Sequence, residues 1–285
     1  MAADTTTAHP GGSAPDTTRP ARGRLHEFLV GPTGAALTAF AVFLVSWVLL
    51  GVLSRSFPGP LEVVLALVAE TVDGQVAANF LVSMQRFGIG MLLSIVIGVV
   101  LGLAIGTSRI AADVLGDINL TGLAIPAVIW ALLCVMWFGV GNTAPIVTVV
   151  LSAVPFVAVN VAAGASAIPK DLTEMSASFG VGRRRRTRHV VLPAVSAYVV
   201  NGIRFAVLSG WNGLLLSEWF GASEGVGFRA RYWYDASRMP GFLAWVVLFI
   251  VFMLVLDRFV LERISRRAFA WRDAADLPAQ RAAAA

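Results

Sequence analysis

The sequence predicts an all-α, polytopic membrane protein of six transmembrane helices, on three observations. The first is composition: 57% of residues are hydrophobic and 14% charged, with a mean hydropathy of +0.77, against roughly 45–50% apolar and about 25% charged in soluble domains. The second is a series of apolar runs of about 20 residues, the length at which a helix crosses a hydrocarbon layer ~30 Å thick. The third is an unequal share of basic residues between the segments that join those runs. The formal charge of +5 and the pI near 10.3 are therefore read as an orientation signal rather than as a nucleic-acid-binding surface. A single cysteine, Cys134, sits inside an apolar run and excludes an internal disulfide.

Residues 1–32 are rich in Thr, Pro, Gly, Ala and Arg without apolar periodicity, which predicts a disordered tail. The run at 33–53 is long enough to span and is followed by SRSFPGP rather than a small-residue cleavage site, so an uncleaved first helix is expected. Further spans are predicted at 77–106, 119–139, 143–166, 193–217 and 241–261. Between the first two spans, PLEVVLALVAET repeats apolar residues at 61, 64, 65 and 68, a helical spacing over a segment too short to cross. It is expected to lie at the outer interface. The chain thus divides into the tail at 1–32, a six-span domain at 33–265 with a polar loop at 167–192, and a C-terminal tail at 266–285.

On this map one side of the membrane carries 16 basic residues and the other 4, Arg55, Arg229, Arg231 and Arg238. The positive-inside rule places both termini and the loop at 167–192 in the cytoplasm. Arg86 and Arg204 fall within spans, where a charge needs a partner, a cavity or an aqueous path. Along the fifth span Asn201, Arg204, Trp211 and Asn212 fall within an arc of about 100°, a stripe expected to line a pathway in which Arg204 suits an anionic solute. Structural pairing of Arg204 to a neighbouring acid or carbonyl is the alternative. In the second span Gly90, Ser94, Gly98, Gly102 and Gly106 recur every fourth residue, a face that admits a second backbone, from the same bundle or from a partner. Glu218 and GASEGVGFRARYWYD are expected at the outer end, as an outer gate or docking segment or as an aromatic belt.

No catalytic or metal site is predicted. A P-loop needs a Gly-rich turn followed by Lys and Ser or Thr, and the one lysine, Lys170, stands between Pro169 and Asp171. His9, His26 and His189 have no second ligand at a useful spacing.

The loop holds EMSASFGVGRRRRTRHVVLP, residues 174–193. Pro169 ends the preceding span, Asp171 with Glu174 has the spacing of a capping box, and Met175 and Phe179 share one face of a short helix. Gly180 and Gly182 permit a bend, and Pro193 suits the first turn of the next span. The spacing of Glu174, Gly180, Val190, Leu192 and Pro193 resembles the E-A-A, G, I-x-L-P signature of permeases of ABC importers, with Met175 and Ser176 in place of the two alanines and Val190 in place of isoleucine. Over residues 58–272 the chain looks similar to the nitrate/taurine/aliphatic-sulfonate type, through PGPLEVVLALV, WFGVGNTAPI, SEWFGASEGVGF and LDRFVLERISRRAFAWR.

The resemblance implies a type I importer permease fold in a bacterial plasma membrane. It also implies a second permease copy, in a homodimer, and two cytoplasmic ATPases that hold the ATP and magnesium. An extracytoplasmic solute-binding protein would deliver a sulfonate, nitrate or related small solute. Glu174, Met175, Phe179, Gly180, Leu192 and Pro193 would then form a coupling helix and its return to the membrane, seated on the ATPase. The competing class is an ion-coupled secondary carrier, which would show inverted repeats and broken helices; no repeat between the two halves is evident. A membrane scaffold is a third, weaker option.

Overall fold

The computed structural model describes residues 31–54, 57–169, 175, 178–179, 182, 185 and 187–263. The tail expected at 266–285, nearly all of that at 1–32, and the helix start at Asp171 lie outside them. The chain forms two compact units, residues 1–60 and 61–285. In the first, α1 (Pro32–Leu53) opens with proline in its first turn, where the absent N–H is not needed, and ends at extended Ser54. The Trp47 indole N–H donates to the Pro58 carbonyl at 3.1 Å and holds the chain after the helix.

In the second unit, α3 (Gln75–Thr107), α6 (Thr143–Ser166) and α7 (Leu192–Gly221) carry the core. Side-chain volume sets the distance between α3 and α6. A Cβ at Gly98 would lie 2.6 Å from Val157 Cβ, and one at Gly102 would lie 2.5 Å from the Ala158 carbonyl oxygen. Gly90 and Gly106 meet Val149 and Ala165 as closely, and buried Ser94 turns its hydroxyl back to the Gly90 carbonyl. The small-residue face of α3 therefore packs within its own bundle, one of the two alternatives its spacing left open. α7 meets α6 from another side by the same device, at Gly202, Gly210 and Gly213.

Among the described residues five helices are long and apolar enough to cross a membrane, and a bent pair makes a sixth if its two halves form one span. The third span, expected as one helix over 119–139, is instead α4 (Arg109–Ala124) and α5 (Ala127–Phe138), bent by 97°. The cause is Pro126, which disfavours helical backbone at Ile125; Ile125 is extended at φ −75°, ψ 119°. The start of α4 was hidden because Asp113, Asp117 and Asn119 dilute its hydropathy. The last crossing, α9 (Met239–Val255), continues to Leu261 as a π-helical segment.

α2 (Pro60–Val72) presents Leu61, Val64, Leu65 and Val68 outward, each at least half exposed, while Val63 and Glu70 turn inward. An apolar outer face with a buried acid reverses the soluble pattern and suits a helix lying in the membrane interface. Glu70 accepts two hydrogen bonds, at 2.8 and 2.9 Å, from Arg229 on α8 (Val226–Asp235) and one at 3.1 Å from the Trp245 indole of α9. Burial alone pushes the Glu70 carboxyl up, but the hydrogen bonds and charge of Arg229 together with Trp245 outweigh it and hold the group below its ordinary value. The Glu70 hydrogen bonds, foremost, raise the Arg229 guanidinium.

Two outcomes follow. Gly102→Val should lower the melting temperature of the purified protein by the equivalent of about 1–3 kcal/mol or more, because backbone stands in the way. Gly88→Ala, on the same helix with open space around it, should leave it nearly unchanged. Ionised Glu70, with a folded value below the unfolded one, stabilises the fold at neutral pH, and this contribution fades as pH falls through the lowered value. Glu70→Gln should therefore lose about 1–3 kcal/mol at pH 7, and the gap from the unaltered protein should narrow in thermal melts as pH falls below the ordinary carboxylate range and through the lowered Glu70 value.

Candidate functional site

The exposed face of α7 carries polar residues beside apolar ones, Phe205 and Leu208 among them. Asn201, Arg204 and Asn212 are exposed on it, with Leu208 between them. Arg204 sits about 18 Å from the Leu192 end of a helix about 45 Å long, close to its midpoint. Its guanidinium grips the Asp257 carboxylate with two parallel bonds, Nε to Oδ1 at 2.9 Å and Nη2 to Oδ2 at 3.0 Å. The Arg204 side chain is 44% exposed and that of Asp257 30%. Asp257 lies in the π-helical continuation of α9. One turn away on α7, Asn201 donates to the Asn160 side chain of α6 at 2.8 Å, and Asn212 donates to the Leu208 carbonyl.

Trp211, placed by its spacing on the same stripe, is fully buried. It packs against Phe87, Phe249 and Phe252 with ring centroids 4.8–6.1 Å apart. On a helical projection it falls about 20° beyond Arg204, just past the edge of the exposed arc. The arc drawn from sequence was slightly too wide.

At the other end of α7 lies a second polar cluster, with Asn79, Ser83, Arg86 and Glu218 buried and Asn142 and Glu224 exposed at its edge. Arg86 of α3 donates to the Asn142 side chain through Nε at 2.8 Å and Nη2 at 2.6 Å. Its Nη1 reaches Glu218 at 2.9 Å and the Glu224 carbonyl at 2.8 Å. Glu218 also accepts from the Ser83 hydroxyl and from the Gly227 N–H at 3.0 Å. The Val226 N–H donates to Ser83 and the Gly225 N–H to Asn79. Gly225 has φ of 111°, and a Cβ there would sit 2.5 Å from the Glu218 carboxyl, so the segment 222–227 folds directly over that acid. Glu218, expected among groups facing the outer surface, is instead the buried anchor beneath them.

Asn79, Ser83 and Asn142 were missed by sequence reading. A signal was present: 79 and 83 continue, toward the start of α3, the every-fourth-residue face that carries Gly90 to Gly106, changing from small to polar. Arg86, three residues after Ser83, shares that face.

Of the loop at 167–192, Glu174 and Gly180 lie outside the described residues. Met175 is 54% and Phe179 78% exposed, and the Phe179 N–H donates to the Met175 carbonyl at 3.1 Å, one turn of helix. Among the described residues the pair presents an exposed apolar face. A π-helical turn, Thr187–Val191, leads into α7, where Leu192 is exposed and Pro193 occupies the first turn. Val191 and Val195 pack on Ala165 and anchor this return beside the end of α6. Among the described residues no group of three His, Cys, Asp or Glu could hold a metal ion.

Residues 94–268 match the family described as binding-protein-dependent transport system inner membrane component. The chain is 26% identical over 226 residues to the putative aliphatic sulfonates transport permease of Bacillus subtilis, covering 79% of this chain and 81% of the relative. It is 25% identical over 201 residues to the taurine transport system permease of Escherichia coli, covering 70% and 72%. Among solved structures it is similar to a chain of the MetNI methionine ABC transporter in an inward-facing conformation, with a TM-score of 0.62, 20% identity, and coverage of 70% of this chain and 98% of that one. That likeness shows the fold.

Proposed function

The chain belongs to the family of binding-protein-dependent transport system inner membrane components, and from that premise we propose that this ABC importer permease passes a small organic or inorganic anion, such as a sulfonate or nitrate, along the polar face of α7. The observation that carries the reading is that face: two asparagines and a half-exposed arginine ion pair near the middle of a spanning helix. Charged and polar groups at that depth are stable only against a partner, a cavity or water. A second copy of the chain, facing the first, would enclose such a path. The sulfonate and taurine permeases among its relatives support the solute class.

In this reading both termini and the loop at 167–192 are cytoplasmic, and two separate ATPases supply the ATP hydrolysis and its magnesium. The exposed Met175 and Phe179 pair has the form of an apolar anchor for a groove on such an ATPase. Leu192 and Pro193 would pass its displacement into α7. Nucleotide shifts the assembly between states only through its differential affinity for them.

The coupling role is tested in the complete importer, reconstituted with its ATPases and binding protein. Glu174→Ala and Gly180→Leu should each reduce sulfonate uptake and solute-stimulated ATPase activity roughly tenfold or more, while the permease remains inserted at normal level. Uptake at the unaltered rate by both variants would remove the loop from the coupling path.

A further inference from the structure

We infer that Asp257 is a specificity-determining, positioning residue of the pathway. By clasping Arg204 it weakens that arginine's hold on a passing anion enough for the anion to leave. The inference rests on the proposed function, in which the face of α7 is the path. A guanidinium offers a fixed fork of N–H donors, and a carboxylate and a sulfonate present the same pair of acceptor oxygens to it. In the structure the Nε–Nη2 edge of the Arg204 fork is taken by Asp257, at 2.9 and 3.0 Å. A sulfonate that takes the same edge must displace at least one oxygen of Asp257, and one that meets the Nη1 side binds an arginine whose charge the neighbouring carboxylate already balances.

Three further features fit an exchange site better than a buried strut. The pair is 44% and 30% exposed, whereas the other intramembrane pair, Arg86 with Glu218, is closed at 4% and 0%. Asp257 sits in the first turn of the π-helical segment Leu256–Leu261, where the backbone departs from the α ladder, a feature that often marks a functional position. Asn160 and Asn201 stand one turn from Arg204 and supply neutral hydrogen-bonding groups beside the exchange point. A path conducts when its sites are attractive enough to enter and weak enough to leave, and an unpaired intramembrane arginine would fail the second condition for an anion.

The test uses the permease purified with the ATPase subunits that accompany it, with ethanesulfonate as probe. Binding is measured at equilibrium without the binding protein, and uptake in proteoliposomes with it. Asp257→Asn should bind ethanesulfonate about tenfold tighter or more and transport it more slowly, because a charge-assisted interaction no longer has a competitor. Asp257→Glu should recover both values toward those of the unaltered protein. The paired variant Arg204→Gln with Asp257→Asn removes both charges together and so stays foldable even where Asp257→Asn alone is unstable. It should bind ethanesulfonate more weakly than the unaltered protein and lose transport at least about tenfold.

Unchanged affinity in Asp257→Asn, or full ethanesulfonate transport by the paired variant, would overturn the inference and leave the pair a structural tie between α7 and α9. Failure of the unaltered importer to take up any sulfonate would instead overturn the proposed solute class, and this inference with it.

Discussion

The close approach of the α3 backbone to α6 is the constraint from which the rest of the second unit follows. In lipid, apolar side chains gain little by leaving the lipid for one another's company, so contact between helices comes from packing and from hydrogen bonds across the gap. Gly90, Gly98, Gly102 and Gly106 remove the side chains that would hold α3 away, and Val149, Val157, Val161 and Ala165 of α6 enter the space. That contact sets the register of α3. Asn79, Ser83 and Arg86, one to three turns before Gly90 on the same helix, are thereby carried to Glu218 and the segment 222–227. α7 lies on α6 through its own glycines, so its remaining face is the one that carries Asn201, Arg204 and Asn212.

Three arginines show three ways of living near or in a bilayer. Arg86 is enclosed, and its charge is met by Glu218 with Asn142 and the Glu224 carbonyl filling the remaining donors. Removing one member of such a set leaves an uncompensated buried charge, which costs far more than the pair contributes when whole. Arg229 is tied to Glu70 and stacked over Tyr232 at 4.6 Å, and it locks α2 to α8. Arg204 alone of the three combines a strong bidentate partner with substantial exposure. A charge kept both paired and accessible is suited to exchange of partners, and the enclosed pair at the other end of α7 is suited to holding a shape.

Much of this was readable from sequence, for identifiable reasons. Spans are set by the thickness of hydrocarbon and by the need to satisfy backbone groups internally, so runs of apolar residues located α1, α3, α6, α7 and α9 with small boundary errors. The α4–α5 bend was missed because hydropathy averages over a window and does not register that Ile125-Pro126 breaks the helix inside it. Trp211 was misplaced because a helical projection gives direction but not the width of the exposed sector, which here ends between Arg204 and Trp211. The partners of Arg86 and Arg204 lie 132 and 53 residues away along the chain. Spacing rules reach only a few turns, so neither Glu218 nor Asp257 could have been paired with its arginine without the fold. The match of Glu174, Gly180, Leu192 and Pro193 to a signature was legible because that pattern is local.

α7 then becomes the element through which the proposed mechanism has to act. It begins at Leu192, where the loop at 167–192 returns to the membrane, passes the Arg204–Asp257 pair near its midpoint, and ends at Glu218 within the second polar cluster. Its Glu218 end is bound by Ser83, Arg86 and the Gly227 N–H, which fix it to α3 and to the start of α8. Among the described residues its Leu192 end packs on α6 through Val191 and Val195 on Ala165 and Tyr198 against Gly164, with the Asn201–Asn160 hydrogen bond just beyond. A push delivered to the Leu192 end would tilt α7 about the Glu218 cluster, where its charged ties lie. The Arg204 side chain, about 26 Å from the Gly221 end, would move through a little over half the arc of Leu192. α9 carries Asp257 and has no part in the Glu218 cluster among the hydrogen bonds described, so such a swing would change the distance across the Arg204–Asp257 clasp. The same motion that the ATPases would drive would then open the one charged grip on the path.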